Sequence, residues 1–223
     1  NNLVATLDDA VEMVSPHGHA GQMFHTFSDA FLTSARGNSG LIFAQFINGL
    51  AMEMKEMKLL TTQRFGEVVM RAKASAYQAV SNPTEGTILT VITDWADAVY
   101  KQRNCNDFLH LFKHSLEVAF HSLAATPEKL SVLKQAGVVD AGAKGFVLFL
   151  AGIVGAMETD NVNQVAAASD MTNEKDAREA DGEISHRYCC ECLLTGDALD
   201  LSAIRQHVES LGSSAVVSGS AAK

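Results

Sequence analysis

The chain has 223 residues, of which 47% are apolar, enough to build one large core or one domain plus a fragment. Seventeen Lys and Arg face 26 Asp and Glu, a formal charge of −9, which argues against nucleic acid as a partner, since a phosphate backbone wants a basic footprint. Four cysteines, three of them crowded at Cys189, Cys190 and Cys192, make no disulfide framework, so a reducing cytoplasm is the expected location.

Only three prolines and an abundance of Ala, Leu, Met and Val favour helix. No signal peptide is expected, and the absence of an initial Met suggests that residues upstream are missing. From Asn2, Leu3, Thr6/Leu7, Ala10/Val11 and Val14 recur every three to four residues, a helix that Ser15-Pro16-His17-Gly18-His19 ends. A short helix or irregular piece covers Gln22 to Leu32, and the next helix starts near Asn38 or Ser39 and runs to about Met57. Thr61 or Thr62 can cap a helix whose stripe is Phe65, Val68, Val69, Ala72, Ala76 and Ala79, closed by Pro83. After Gly86 comes a helix with Ile88, Val91, Ile92, Trp95 and Val99 on one side. Asn106 or Asp107 begins another, and Thr126-Pro127 opens a short one that stops around Gly137. The last clear helix, from about Ala143 to Met157, has almost no polar side and should be buried by its neighbours. It and the uncharged run Gly37 to Met52 fall short of a membrane span.

Residues 1–158 thus read as one domain of short antiparallel helices. Residues 159–184 read as an acidic linker, where seven acids meet two bases. Residues 185–223 read as the start of a second, α/β domain: a strand over 186–194, a helix over 200–211 and a strand over 215–217. The expected fold class is therefore mainly α, followed by a truncated β-α-β fragment.

Three glycine turns are candidates for chemistry. Ser34-Ala35-Arg36-Gly37-Asn38-Ser39-Gly40 runs into sixteen uncharged residues, so its helix must be central and its free N–H groups need partners. Phosphate is one such partner, held by Gly37, Asn38, Ser39 and Gly40 at the positive end of the helix dipole. The plain alternative is a turn with Asn38 or Ser39 as N-cap, and Arg36 could neutralise charge or face water. In Pro83-Thr84-Glu85-Gly86-Thr87, Thr84 or Thr87 could donate to phosphate or only cap the next helix. In Asp140-Ala141-Gly142-Ala143-Lys144-Gly145, Ala141 to Ala143 could lie against a flat base, or the small residues could serve a tight helix crossing.

His110, His114, Glu117 and His121 share one helix face at near metal-ligand spacing, but read more simply as the solvated side. Cys189, Cys190 and Cys192 have no second cysteine pair, so structural zinc is not expected. No Walker-type loop is present, and no nucleophile and base can be paired by spacing, so catalytic residues stay unassigned.

These three motifs, with Leu133-Lys134-Gln135-Ala136-Gly137-Val138-Val139 leading into the third, resemble the nucleotide-binding (DhaL-type) domain of the dihydroxyacetone kinase superfamily. The nearer resemblance is to the bacterial fatty acid kinase catalytic subunit, and Tyr188-Cys189-Cys190-Glu191-Cys192-Leu193-Leu194 is similar to the opening strand of that family's middle domain. The resemblance implies a closed barrel of about eight antiparallel helices that binds ATP or ADP with magnesium at one end. It places Asn2, Ser39 and Thr87 near the phosphates, and Gly142, with Ala143, in the adenine-side loop. The family's Asp-Gly-Asp-Thr-Gly loop, which holds magnesium, falls directly before Asn1 and is not in this sequence. These residues alone therefore offer no metal ligands and are expected to be inactive.

A fatty acid carboxylate is already a nucleophile, so phosphoryl transfer to it needs charge neutralisation rather than a base. The resemblance implies an acyl chain presented by a DegV-type fatty-acid-binding protein or a fused DegV-type module, with a homodimer left open. The alternatives are a dihydroxyacetone (glycerone) kinase-like phosphotransferase, a non-catalytic nucleotide-sensing or lipid-binding accessory protein, and a helical scaffold whose glycines only permit packing.

Overall fold

The computed structural model describes residues 2–14, 19–159, 190, 192, 194–196, 199–212 and 215–219. They form α1 (Asn2–Glu12), α2 (Ala20–Ser34), α3 (Gly37–Met54), α4 (Thr62–Gln78), α5 (Ile88–Gln102) and a 3-10 turn at Arg103–Cys105. There follow α6 (Phe108–Ala124), α7 (Thr126–Lys129), α8 (Ser131–Ala136), α9 (Ala141–Thr159) and α10 (Leu201–Leu211). Side-chain caps start three of these: Thr61 accepts from the N–H of Arg64, Asp107 from that of His110, and Asp200 from those of Ser202 and Ala203.

Helices adjacent in sequence pack as neighbours from α1 to α6, and α9 returns to lie against α1, α3, α5 and α6. α3 is the central element, with twelve of its 18 residues buried, as its uncharged sequence requires. Phe43 and Phe46 on α3, Trp95 on α5 and Phe146 on α9 meet mostly edge to face, with ring centroids 5.7 Å apart for Trp95–Phe146 and 6.0 Å for Phe46–Trp95. Such pairs add about 0.5–1.5 kcal/mol each beyond their buried area. Phe65 and Phe112 extend the cluster to α4 and α6, stacked at 5.4 Å.

The expected fold class needs correction. Among the described residues there are ten α-helices and no β-strand, so neither the β-α-β fragment nor a closed barrel is formed. α9 packs against four helices at once and aromatic rings fill the middle, so the helices make a solid bundle. The expected strand over 186–194 falls partly outside the described residues; Cys190, Cys192 and Leu194 are described and carry no strand. The expected strand at 215–217 is only a single antiparallel bridge between Val216 and Val80. Its partner segment gives it no room to extend, because Asn82-Pro83 follows two residues later and Pro83 has no N–H to donate. Apart from Thr159, the linker over 159–184 lies outside the described residues.

α9 also differs from its expected full burial. Ala143, Phe146, Val147 and Leu150 are buried, but Leu148 is 47% exposed and Met157 38%. By length and composition it is apolar enough to cross a membrane. Its packing against α1, α3, α5 and α6 places it in the bundle.

Candidate functional site

The site is made by helix starts, beginning with those of α1 and α3. Gly37 opens α3 at φ +60°, and a Cβ there would collide with the Asn2 side chain at the head of α1. Gly40, one turn on, faces Thr6, where an added Cβ would sit 2.6 Å from Oγ1. That hydroxyl donates to the Asn2 carbonyl (2.8 Å) and accepts from the N–H of Arg36 (3.1 Å), so a single side chain locks the first turn of α1 to the entry of α3. The Arg36 guanidinium pairs with Asp9 on α1 and its side chain does not cap α3. An open depression of about 530 Å³ on that flank carries Asp9 and Glu12, a setting that repels phosphate.

The start of α9 closes on this pair. A Cβ on Gly142 would lie 2.8 Å from that of Ser39 and 3.4 Å from Asp140 Oδ1, and one on Gly145 would lie 2.8 Å from Leu3 Cδ2. Asp140 Oδ1 accepts from the Ala143 N–H at 2.7 Å. The backbone amides of Gly142 and of Ile88, the first residue of α5, lie near enough to the same carboxylate to lower its pKa. Burial pushes this carboxyl above its usual 3.8, and the three amides (Ala143, Ile88, Gly142) pull it back down without cancelling the rise. The Asp140 N–H donates to Thr126 Oγ1 at 3.1 Å.

The third loop arrives with α5. Gly86, at φ +81°, would set a Cβ 2.9 Å from the Thr126 carbonyl oxygen, and its N–H donates to Thr90 Oγ1 at 2.9 Å. Thr90 in turn donates to Glu85 Oε2, which lies 3.6 Å from Lys129 Nζ. Thr87 precedes α5, but its hydroxyl donates to the Thr84 carbonyl (2.8 Å) and does not cap the helix.

Asn2, Gly37, Asn38, Ser39, Gly40, Gly142 and Ala143 therefore share one end of the bundle, and Thr87 joins them through its neighbour Ile88. Sequence reasoning missed Asp140 and Thr126 as organisers of that end. An Asp three residues before the third small residue of a helix start is a capping signal, but its reach to Ile88 leaves no local trace.

Four helix starts, each carrying roughly half a positive charge from its dipole, face one region, and neither α3 nor α5 has a side-chain cap. The small residues there are met by their neighbours, Gly37 by Asn2, Gly40 by Thr6 and Gly142 by Ser39, and Gly142 and Ala143 are buried, so close helix crossing accounts for them, while the start of α3 without a side-chain cap is a setting suited to phosphate. It does not fit a magnesium ion in the same way: among the described residues no three His, Cys, Asp or Glu stand close enough to hold a metal. His110 and His121 are exposed on α6, and Cys190 and Cys192 are exposed; Cys189 lies outside the described residues.

A family model described as the DAK2 domain matches residues 1–155. An uncharacterized protein of Staphylococcus epidermidis is 33% identical over 208 residues, 88% of this chain and 38% of that protein. A Staphylococcus aureus protein, also uncharacterized, shows the same identity and coverage. One from Staphylococcus saprophyticus is 38% identical over 144 residues, 64% of this chain and 26% of its own length. The chain thus spans well under half the length of these relatives.

Proposed function

This chain belongs to the DAK2 domain family, whose domains bind nucleotides and are of kinase type, and from that premise we propose that it holds ATP or ADP at the shared end of α1, α3, α5 and α9 for phosphoryl transfer. The observation that carries this reading is the convergence of three glycine loops, far apart in sequence, on one cluster of helix starts. In it, the first-turn N–H groups of α3 and the Ser39 hydroxyl receive the phosphates, and the Asn2 amide flanks them. At the head of α9 the exposed Ala141, next to the buried Gly142 and Ala143, offers a surface without side-chain bulk for the base. Phosphoryl transfer depends mainly on positioning and charge neutralisation, which backbone donors supply without a side-chain base. Among the described residues there is no carboxylate set for magnesium.

For the acceptor, a dihydroxyacetone kinase-like phosphotransferase is the reading closest to the family match. A fatty acid carboxylate presented by a DegV-type protein or module is the second. Its support is the resemblance of Tyr188-Cys189-Cys190-Glu191-Cys192-Leu193-Leu194 to the opening strand of the fatty acid kinase subunit's middle domain. A cytoplasmic setting belongs to both readings.

Calorimetric titration of the full-length protein with ADP and magnesium tests the nucleotide reading. Binding heat is expected, with loss of binding but an unchanged far-UV spectrum in Ser39→Leu, whose side chain would run into Gly142. The absence of both binding heat and thermal stabilisation at millimolar ligand would remove the reading. Phosphoryl transfer to dihydroxyacetone, against transfer to a fatty acid loaded on its carrier, separates the two acceptors.

A further inference from the structure

Residues 215–219 lie beyond the part of the chain that matches the DAK2 domain, yet their backbone is fastened to the bundle. The Ala215 carbonyl accepts from both the N–H (3.2 Å) and the hydroxyl (3.0 Å) of Ser81, and the Val217 N–H donates to the Ala79 carbonyl at 3.0 Å. Between these bonds Val216 bridges Val80 and packs against the hydrophobic core. Gly219 is then taken at both ends of its backbone. Its N–H donates to Gln45 Oε1 at 3.3 Å, and its carbonyl accepts from Asn48 Nδ2 at 3.0 Å. Gln45 and Asn48 stand at i and i+3 on α3, so they share a face and grip one residue together. On the outer side α10 holds the same strap: Arg205 Nη2 donates to the Val217 carbonyl at 3.2 Å, and a Cβ on Gly219 would sit 2.9 Å from Leu201 Cδ2.

The two anchorages lead to different parts of the candidate site. Gln45 belongs to the helix whose first turn is the Gly37–Gly40 loop, about 8 Å from Gly40 along the axis at the usual rise per residue. Ala79 and Ser81 follow the end of α4, and after Asn82-Pro83 the chain enters the second glycine loop, Thr84 to Thr87. The strap therefore ties the helix that carries the first loop to the segment that feeds the second. Its grip is on backbone, which explains why the short apolar triplet needs no strand of its own.

We propose that this strap is a coupling element: seated between α3 and residues 79–81, it fixes the spacing of the first two glycine loops and makes nucleotide affinity depend on the region that follows the DAK2 domain. The coupling rests on the nucleotide reading, and the seat rests on the bonds above. Coupling between two sites is reciprocal, so ADP held at the loops must tighten the strap by the factor by which the strap strengthens ADP. A strap that served only as structure would not answer to the ligand in this way.

The test is ADP titration and amide hydrogen exchange on the full-length protein, as wild type and as the double variant Val217→Pro with Gln45→Ala. Val217→Pro removes the N–H donated to Ala79, and Gln45→Ala removes the acceptor of the Gly219 N–H. Neither change takes a side chain out of the buried aromatic cluster, so α6 should keep its protection. In wild type, ADP should slow exchange at Ser81 and Gly219 more than across α6. In the variant both amides should exchange faster, and ADP affinity should fall about fivefold or more, the lower end of coupling between sites. Affinity within about twofold of wild type overturns the proposal. So does a strap whose exchange ignores ADP, or one that stays protected in the variant. If the double variant does not fold, Gln45→Ala alone and the wild-type exchange decide by the same criteria. No ADP uptake by wild type removes the nucleotide reading and the coupling with it, whereas uptake indifferent to the strap removes the coupling alone.

Discussion

Gly37 and Gly86 are the two positions where the site depends on a missing side chain. Both sit at positive φ, +60° and +81°, and both face a neighbour that a methyl group would strike, Asn2 for the first and the Thr126 carbonyl for the second. Gly37→Ala should therefore lower stability by about 1–3 kcal/mol in urea denaturation, the usual scale for an L residue forced into that region. It should also displace Asn2. A loss under a few tenths would show that the α3 entry relaxes freely. The Asp140 carboxyl gives a pH prediction. Its folded pKa lies above 3.8, so its contribution to stability is fully present below 3.8 and is lost as pH rises through the raised folded value. Asp140→Asn cannot titrate there. The melting-point advantage of wild type over that variant should thus be greatest in acid and shrink as pH rises, and a flat difference would contradict the burial. At this scale the glycines and Ser39 were legible because turn chemistry is local. The approach of Ile88 to Asp140 was not, because it joins positions that only the folded chain brings together.

Among the elements, α4 was read from its period: Phe65, Val68, Val69, Ala72 and Ala76 form the expected stripe and all are buried. α3 begins at Gly37, one residue before the earliest expected start, and ends at Met54, three short of Met57. The apolar triplet at 215–217 misled, since a run that short carries no register and its partner segment offers only residues 79–81. It is nevertheless tied to the bundle. Ala215 accepts from the Ser81 N–H, Val217 donates to the Ala79 carbonyl (3.0 Å), and Gly219 meets two polar residues of α3, Gln45 and Asn48. Asn48, only 3% exposed, donates to the Gly219 carbonyl at 3.0 Å and accepts from Ser28 Oγ at 3.1 Å. The hydrophobic pattern alone gives no reason for an amide there; the strap does. Asn48→Ala should cost about 1–3 kcal/mol by stranding the Gly219 carbonyl and the Ser28 hydroxyl, measured by thermal or urea unfolding. A neutral result would show that water replaces the amide and that the strap adds nothing.

For the molecule as a whole, the helical class followed from composition, and ten helices among the described residues agree with it. The expected second α/β unit did not follow, because apolar runs of a few residues cannot distinguish a strand from an extended strap. A net charge of −9 also means that the whole-molecule field repels a nucleotide, so binding has to come from local backbone dipoles. The most direct measurement is a crystal structure of the full-length protein with ADP and magnesium. The account predicts phosphates within hydrogen-bonding reach of the first-turn amides of α3, beside Ser39, with the base over the exposed Ala141 at the start of α9. A nucleotide seated elsewhere, or those amides turned away from it, would contradict it.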